Sequence, residues 1–260
     1  MNIVICIKQV PNTNEVKLNP ETGTLIRDGI PSIINPDDKA GLEAALALKD
    51  QYGAHVTVIS MGPPQAEHAL REALAMGADE AILVTDRAFG GADTWATSST
   101  LASAIRKLPY DLIITGRQAI DGDTAQVGPQ IAEHLGIPNI SYAEEIKVEE
   151  GGIVVKRQYE DRFHIISAKF PCLVTALAEM NKPRYMTPGG IFDAYRTAGI
   201  KKWYRADLDV EDGNIGLKGS PTRVFRSFTK ELKGKGHVVD MDPGASVSWL
   251  VDNLKSKHIL

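Results

Sequence analysis

Cysteine is scarce in this sequence, and the two cysteines among its 260 residues are Cys6 and Cys172. They lie far apart inside apolar runs and form no Cys-x-x-Cys pair, so we expect buried thiols and neither a disulfide nor a metal site. The six histidines show none of the spacings that zinc enzymes use. We therefore expect no bound metal.

Long hydrophobic runs and an excess of basic charge are also missing. No run approaches the roughly 18 apolar residues that a transmembrane helix requires. Lys8 interrupts the N-terminal sequence MNIVICIKQV, which lacks the basic start of a secretory signal. The formal net charge is −4 with both signs mixed, whereas a nucleic-acid surface needs a basic patch. We expect a cytoplasmic protein that neither inserts into membranes nor binds nucleic acid.

Three widespread nucleotide-binding and hydrolase motifs are absent. The sequence has no G-x-G-x-x-G, no G-x-x-x-x-G-K-[ST] and no G-x-S-x-G. The usual dinucleotide-binding fold, a P-loop enzyme and a serine hydrolase are therefore not indicated. The paired acids Asp37–Asp38 and Glu144–Glu145 are interpreted as solvated loop charges and not as an acid–base couple. No catalytic residue is predicted.

Up to residue 136 the sequence contains a regular alternation of short apolar runs and amphipathic segments. The runs are typical of buried strands, and the segments have the spacing of a helix face. We predict strands at 2–10, 55–61, 81–84 and 112–115, followed by helices that end near Gly53, Met76, Lys107 and Leu135. The alternation predicts an α/β fold with a doubly wound parallel sheet, in which ligands bind at the carboxyl ends of the strands.

The stretch Leu112–Gly136 has the order strand, polar loop, helix. We predict the helix over 124–135, with Asp123 or Thr124 as its N-cap and Gly136 at its end. The first amides of a helix lack partners, and the helix dipole adds to their attraction for an anion. The loop is therefore interpreted as the phosphate-binding loop of a nucleotide site, and an ordinary strand–helix connection is the alternative.

After Asn139 the pattern changes to short strands, with a hairpin turn at Glu149–Gly152 and a later helix that begins at Pro188. The polar stretch 201–221 has no clear period, which suggests a segment ordered by a partner surface. A closing helix is predicted over 246–254.

Two smaller features allow a functional interpretation. Phe89-Gly90-Gly91 is either a lid whose backbone lets a flat ligand approach or a tolerant surface loop, and Phe89 itself packs either on a ligand ring or in the core. Met180 has polar neighbours and is expected to be exposed. An exposed methionine is typical of an adaptable partner contact.

Several stretches of the sequence resemble the beta subunit of electron-transfer flavoproteins. They are CIKQVPNT (Cys6–Thr13), NPDD (Asn35–Asp38), ALAMGADEA (Ala73–Ala81), GRQAIDGDTAQVGP (Gly116–Pro129) and VKRQYEDRFHIISAKFPCLVTALAEMNKPRYMTPGGIFDAY (Val155–Tyr195). A further stretch, VTDRAFGGADT (Val84–Thr94), is similar to the subgroup that bifurcates electrons. In that subgroup the beta-subunit site holds FAD, where other members hold AMP.

The resemblance implies an adenine-nucleotide alpha-hydrolase-like fold, with 1–200 as the nucleotide-binding domain and 201–260 as a C-terminal arm that packs on an alpha subunit. Met180 stands where the family has a leucine that docks on a dehydrogenase. NADH is expected at Phe89, Gly90, Gly91, Ala92, Thr94 and Thr97. By family position, cofactor contacts are expected at Cys6, Ile7, Lys8, Asn35, Pro36, Asp37, Asp38, Met61, Gly116, Arg117, Gln118, Ala119, Ile120, Asp121, Gly122, Asp123, Thr124, Ala125, Gln126 and Val127.

The chemistry implied by the resemblance is hydride transfer from NADH to FAD. One electron then passes to ferredoxin or flavodoxin, and the other passes through an FAD of the alpha subunit to a flavin dehydrogenase of the acyl-CoA or a related type. The flavin performs the redox step, and the protein orients and tunes it. Two alternatives stay open. One is a plain electron carrier that holds AMP as a structural ligand, and the other is a universal-stress-like nucleotide-binding module, against which the strands and arm after residue 139 argue.

Overall fold

The computed structural model describes residues 1–12, 31–223, 225, 236 and 238–260. By their internal contacts, the described residues up to 225 belong to a first compact unit, and those from 236 onward belong to a second. In the part of the chain that the structure describes, no helix combines the length and the apolarity needed to cross a bilayer.

A nine-stranded sheet forms the centre of the first unit. The strands of this unit are β1 (Asn2–Cys6), β2 (Gln9–Pro11), β3 (Ser32–Ile34), β4 (His55–Met61), β5 (Glu80–Val84), β6 (Leu112–Gly116), β7 (Asn139–Glu149), β8 (Gly152–Gln158), β9 (Phe163–Lys169), β10 (Cys172–Ala176) and β11 (Ile200–Trp203). Its helices are α1 (Pro36–Tyr52), α2 (Glu67–Met76), α3 (Thr94–Ile105), α4 (Val127–Leu135) and α5 (Pro188–Arg196). The second unit contains α6 (Pro243–Ser256).

The strand order in the sheet is β11-β5-β4-β1-β6-β10-β7-β8-β9, and β2 and β3 form a separate antiparallel pair. Neighbouring strands from β11 to β7 run parallel, whereas β8 and β9 extend the sheet as antiparallel strands. The predicted α/β fold with a parallel, doubly wound sheet and added strands is confirmed. From β1 the chain winds outward to β4 and β5 and then returns to β6 on the other side of β1. The connections on the two sides of β1 therefore run in opposite directions, and a crevice forms between the carboxyl ends of β1 and β6.

The central strands of the sheet are buried on both faces, which is why they are almost continuous runs of Ile, Val and Leu. In β1 successive side chains alternate between the faces. Ile3 and Ile5 pack on the side covered by α1 and α2, whereas Val4 and Cys6 pack on the side covered by α3 and α4. Full burial of one large apolar side chain contributes about 1.5–3 kcal/mol. The two cores therefore fix the positions of the strand ends that border the crevice.

Several ends of elements fall where the sequence predicts them. α1 and α4 are followed by Gly53 (φ 65°) and Gly136 (φ 66°), a left-handed conformation that glycine adopts without strain. α5 begins at Pro188, and the Thr187 side chain accepts a hydrogen bond from the third residue after it. The turn between β7 and β8 lies at Glu149–Gly152.

Other boundaries differ from the prediction. β1 ends at Cys6 and not at Val10, and α4 begins at Val127, so the loop before it is longer than expected. The start of the polar stretch after residue 200 forms β11, which pairs parallel to β5 with Ile200 opposite Ala81. The first unit therefore continues past the predicted domain boundary at residue 200.

Candidate functional site

A cavity of about 1370 Å³ lies at the carboxyl ends of β1, β4, β5 and β6, where the winding of the sheet leaves a crevice. All residues that line it belong to the first unit. They include most of the predicted cofactor residues, namely Cys6, Ile7, Lys8, Asp38, Met61, Gly116, Arg117, Gln118, Ala119, Gly122, Thr124, Ala125, Gln126 and Val127.

The other predicted cofactor residues do not line this cavity; they are Asn35, Pro36, Asp37, Ile120, Asp121 and Asp123. Asn35 holds the loop after β6 from behind, because its Nδ2 donates to the Gln118 carbonyl oxygen at 2.8 Å and its Oδ1 accepts from the Ile120 amide at 3.0 Å. Asp121 pairs with the Lys8 ammonium at 2.7 Å. These six residues do not face the cavity, and their direct contact with a cofactor stays a prediction.

The adjacent carboxylates Asp37 and Asp38 are only 6% and 7% exposed, so they are not the solvated loop charges expected from the sequence. They lie in the first turn of α1, where the helix dipole favours negative charge. Asp38 Oδ2 accepts a hydrogen bond from the Lys8 amide at 2.7 Å, and Oδ1 accepts one from the Gly116 amide at 3.0 Å. Asp38 therefore ties together the ends of β1 and β6, which border the crevice.

The surroundings of Asp38 are closely packed. Burial raises the pKa of Asp38 to about 7, although hydrogen bonds from the Lys8 and Gly116 amides act in the opposite direction. A Cβ built on Gly116 would collide with Asp38 Oδ1 and would lie 2.8 Å from Asp37 Cβ. Gly116 is therefore required by the close approach of α1, whatever ligand the cavity holds. Burial, together with the Asp38 carboxylate, also raises the pKa of the Cys6 thiol.

The loop between β6 and α4 has an unusual backbone. Asp123 and Ala125 have φ values of 48° and 53°, a region that residues other than glycine rarely occupy. Asp123 is not the N-cap of α4, because its carboxylate accepts a hydrogen bond from Gln118 Nε2 at 2.9 Å instead. The amides of Val127 and Gly128 have no acceptor among the described residues. The start of α4 thus offers free donors at the cavity wall, as an anion site requires.

Arg117 brings positive charge to the same wall. Its Nε is buried without a hydrogen-bond partner among the described residues and lies 3.4 Å from Asp37 Oδ2. Lys8, Arg87 and Lys202 also line the cavity. Because the Arg117 guanidinium lines the cavity, its positive charge suits an anionic ligand group such as a phosphate.

All residues predicted to contact NADH line the same cavity; they are Phe89, Gly90, Gly91, Ala92, Thr94 and Thr97. The Thr94 hydroxyl donates to Gln126 Oε1 at 2.9 Å. This bond joins the start of α3 to the residue that precedes α4, and the two helices pack side by side. Phe89 is 5% exposed and packs in the core with α3, which favours a core role over stacking on a ligand ring.

The glycine loop after β5 is covered on one side by the chain that follows β11. Gly91 has a φ of 73°, and a Cβ there would lie 3.1 Å from Leu217 Cβ. The Leu217 amide donates to the Gly90 carbonyl oxygen at 3.0 Å. The Thr222 amide and hydroxyl donate to the Asp93 carboxylate at 2.9 and 2.7 Å. The two glycines therefore serve this packing, and a role of the loop in ligand access stays a prediction.

Lys202, Tyr204 and Thr222 also line the cavity and are absent from the predicted site. They lie on β11 and in the chain after it, which the pairing with β5 brings to the cavity. The sequence gives little signal for them, because the stretch that carries them is polar and without period. Their position follows from a strand pairing between distant parts of the chain.

Met180 lies in a turn after β10 and is half-buried against the core on the α1 side of the sheet. It is thus less exposed than the sequence suggested. In the segment that follows, Tyr185 is 89% exposed and Phe192 is 55% exposed. The docking role of Met180 stays a prediction.

Comparison with known proteins decides the family. The electron transfer flavoprotein domain matches residues 22–208. The chain is 58% identical over 260 residues to electron transfer flavoprotein subunit beta of Clostridium acetobutylicum, with 100% of both chains covered. The chain belongs to the electron transfer flavoprotein beta-subunit family. Within this family it is also similar to the caffeyl-CoA reductase-Etf complex subunit CarD of Acetobacterium woodii (54% over 263 residues, 100% of both chains). A further relative is the acryloyl-CoA reductase electron transfer subunit gamma of Anaerotignum propionicum (48% over 268 residues, 100% of both chains). The resemblance seen in the sequence is confirmed.

Proposed function

We propose that this chain holds FAD in its cavity and takes part in the transfer of electrons from NADH to two acceptors. One acceptor is ferredoxin or flavodoxin, and the other, reached through the FAD of an alpha subunit, is a flavin dehydrogenase of the acyl-CoA or a related type. The observation that carries the proposal is one continuous cavity lined both by the loop after β6 and by the glycine loop after β5. The hydrogen bond from Thr94 to Gln126 connects the two sets of residues.

The size of the cavity supports a dinucleotide together with part of a second one. Pockets for drug-sized ligands have volumes of about 300–1000 Å³, and this cavity has about 1370 Å³. AMP is the smaller half of FAD, so AMP alone would leave much of this volume to water. The lining also includes residues outside the loop after β6, among them Thr97 and Tyr204.

The polar groups of the cavity support the placement of the phosphates. The positively charged Arg117 side chain lines the cavity, and the first amides of α4 at Val127 and Gly128 have no acceptor among the described residues. A helix N-terminus adds its dipole to such donors. We assign the pyrophosphate of FAD to this end of the cavity.

The side chains of the cavity bind and orient ligands. Cys6, Ile7 and Met61 provide an apolar floor, and Thr94 and Thr97 offer hydroxyl groups near the start of α3. When bound, FAD supplies the redox chemistry, since it accepts two electrons from NADH and releases them singly. No side chain of this cavity is assigned an acid–base role.

The names of two relatives support the class of the second acceptor. The caffeyl-CoA reductase and acryloyl-CoA reductase complexes each include a relative of this chain. We therefore propose a flavin enzyme that acts on a CoA ester as the partner that receives electrons through the alpha subunit.

The test is to identify and count the nucleotides that heating releases from the purified complex with its alpha subunit. Two FAD molecules per heterodimer are expected. One FAD and one AMP would overturn the proposal and would favour a plain electron carrier. Anaerobic reduction by NADH, with dithionite as a control for flavin competence, then checks the electron donor.

A further inference from the structure

Asp37 contacts two parts of the chain that lie far apart in sequence. Its Oδ2 accepts a hydrogen bond from the Gln118 amide in the loop after β6 at 3.3 Å, and its Oδ1 accepts one from the Ala178 amide at 3.0 Å. The carboxylate is buried, so water cannot easily replace either bond. The Asp37 side chain is thus hydrogen-bonded both to the loop after β6 and to the turn that carries Met180.

The segment 178–184 is attached to α1 at further points. Asn181 Nδ2 donates to the Ala40 carbonyl oxygen at 2.9 Å. Arg184 donates to the Glu43 carboxylate from its amide at 2.9 Å and from its guanidinium at 2.9 Å. The first turn of α1 is hydrogen-bonded to the loop after β6 through Asp37, and α1 is hydrogen-bonded to the segment 178–184 through Ala40 and Glu43. A displacement of α1 therefore moves both.

Arg117 connects Asp37 to the contents of the cavity. The guanidinium lines the cavity, and its Nε lies 3.4 Å from Asp37 Oδ2 without a hydrogen bond to any described residue. Burial raises the pKa of Asp37, and the Arg117 charge is the largest influence that lowers it. An anionic ligand that binds the guanidinium weakens the electrostatic attraction between Arg117 and Asp37. The hydrogen bonds from the Gln118 and Ala178 amides then contribute more to the stabilisation of the Asp37 carboxylate.

We propose that Asp37 is a positioning residue that transmits the occupation of the nucleotide cavity to the segment 178–184. The inference rests on the proposed function only in that a nucleotide phosphate binds near Arg117, and it holds whether the nucleotide is FAD or AMP. Coupling between binding sites is reciprocal. A protein that binds the segment 178–184 therefore changes the affinity of the cavity for its nucleotide by the same factor.

The experiment is hydrogen–deuterium exchange of the heterodimer with its alpha subunit, with and without FAD. In the wild type, FAD should slow exchange of a peptide that contains Ala178 by about threefold or more, in addition to slowing exchange around Gln118. Asp37→Asn should remove the effect at Ala178, because its amide group can accept from one of the two backbone amides but presents a donor to the other. The Gln118 peptide of this variant should still respond to saturating FAD.

Two further variants keep the test decisive. Glu43→Gln weakens the attachment of Arg184 but leaves Asp37 in place, so FAD should bind as in the wild type and still slow exchange at Ala178. Arg117→Gln leaves both bonds of Asp37, and at saturating FAD it should lose the slowing even if Asp37→Asn fails to fold. No response at Ala178 in the wild type, or a response that survives in Arg117→Gln, would overturn the proposal. A response to AMP in a complex that does not bind FAD would support it and overturn the proposed function instead.

Discussion

The Thr94 hydroxyl donates a hydrogen bond to Gln126 Oε1 at 2.9 Å, and both residues line the same cavity. The sequence assigned Gln126 to the cofactor and Thr94 to NADH. Their direct contact makes the two predicted sites neighbours, because α3 and α4 begin side by side. A change at Thr94 should therefore affect the donor of electrons while the main contacts of the cofactor remain.

Thr94→Val should leave FAD bound and slow reduction by NADH tenfold or more, which corresponds to about 1.4 kcal/mol. The variant loses the hydroxyl that orients Gln126 and that faces the cavity. Stopped-flow reduction of the heterodimer by NADH measures the effect, with dithionite as a control. Ser99→Ala, on the same helix but outside the cavity lining, should reduce at the wild-type rate. Equal rates in the two variants would remove Thr94 from the site.

Gly91→Ala should destabilise the protein more than Gly90→Ala. Gly91 has a φ of 73°, where a Cβ costs roughly 1–2 kcal/mol, and its Cβ would also crowd Leu217. A Cβ on Gly90 would meet the Arg87 carbonyl oxygen at 3.2 Å, but Gly90 has an ordinary φ of −63°. Thermal denaturation should show a fall of about 2–4 °C per kcal/mol. A larger fall for Gly90→Ala would contradict the described backbone of this loop.

The buried carboxyl of Asp38 should make stability depend on pH. Its pKa in the folded protein is about 7, against about 3.9 in an unfolded chain. A carboxyl whose pKa is raised by folding stabilises the fold when it is protonated. Its contribution is complete below about pH 4 and is lost as the pH rises through about 7.

Urea denaturation at a series of pH values checks this dependence. The free energy of unfolding should fall between about pH 4 and 7 in the wild type, and the fall should be smaller in Asp38→Asn. The variant also alters the hydrogen bonds to the Lys8 and Gly116 amides, so the comparison concerns the slope with pH and not the absolute stability. Equal slopes would show that other groups cause the dependence.

Met180→Ala should weaken docking of the dehydrogenase without changing the reduction of the flavin by NADH. The side chain is half-buried against the core, so its loss should cost roughly 1–3 kcal/mol of stability and also weaken binding of the dehydrogenase. Electron transfer to the dehydrogenase should fall, while reduction by NADH and flavin content stay at wild-type levels. Met186→Ala, at a position 41% exposed, controls for the loss of an apolar group nearby. If both activities of Met180→Ala fall in parallel, the residue has a structural role alone.

The parts of the fold that the sequence predicted are those with a strong local pattern. β4 is found at the predicted His55–Met61, because a strand buried on both faces needs a continuous apolar run. The start of α4 was misplaced, since the positive φ values at Asp123 and Ala125 have no glycine to signal them. β11 was missed because Lys201 and Lys202 make a short strand look like a polar linker.

At the cavity, the sequence predicted which loops line it but not which side chains hold those loops in place. The loop after Gly116 lines the cavity as expected, because a polar loop between a strand and a helix is a strong signal for the carboxyl end of a sheet. The sequence did not predict that Asn35 and Asp37 accept hydrogen bonds from the backbone of that loop. The sequence does not show whether an aspartate is buried or solvated. For Asp37 and Asp38, only the packing of α1 in the folded protein shows that they are buried.

The pairing of β11 with β5 has a consequence for synthesis of the protein. Ile200 lies opposite Ala81. The edge of β5 that faces away from β4 therefore lacks its partner β11 until more than three quarters of the chain has left the ribosome. Until then the nascent domain exposes an apolar strand edge, which is a site for aggregation. Lys202 and Tyr204 reach the cavity wall at that same late moment. A growing chain therefore acquires its complete nucleotide cavity only after the rest of the parallel sheet has been made.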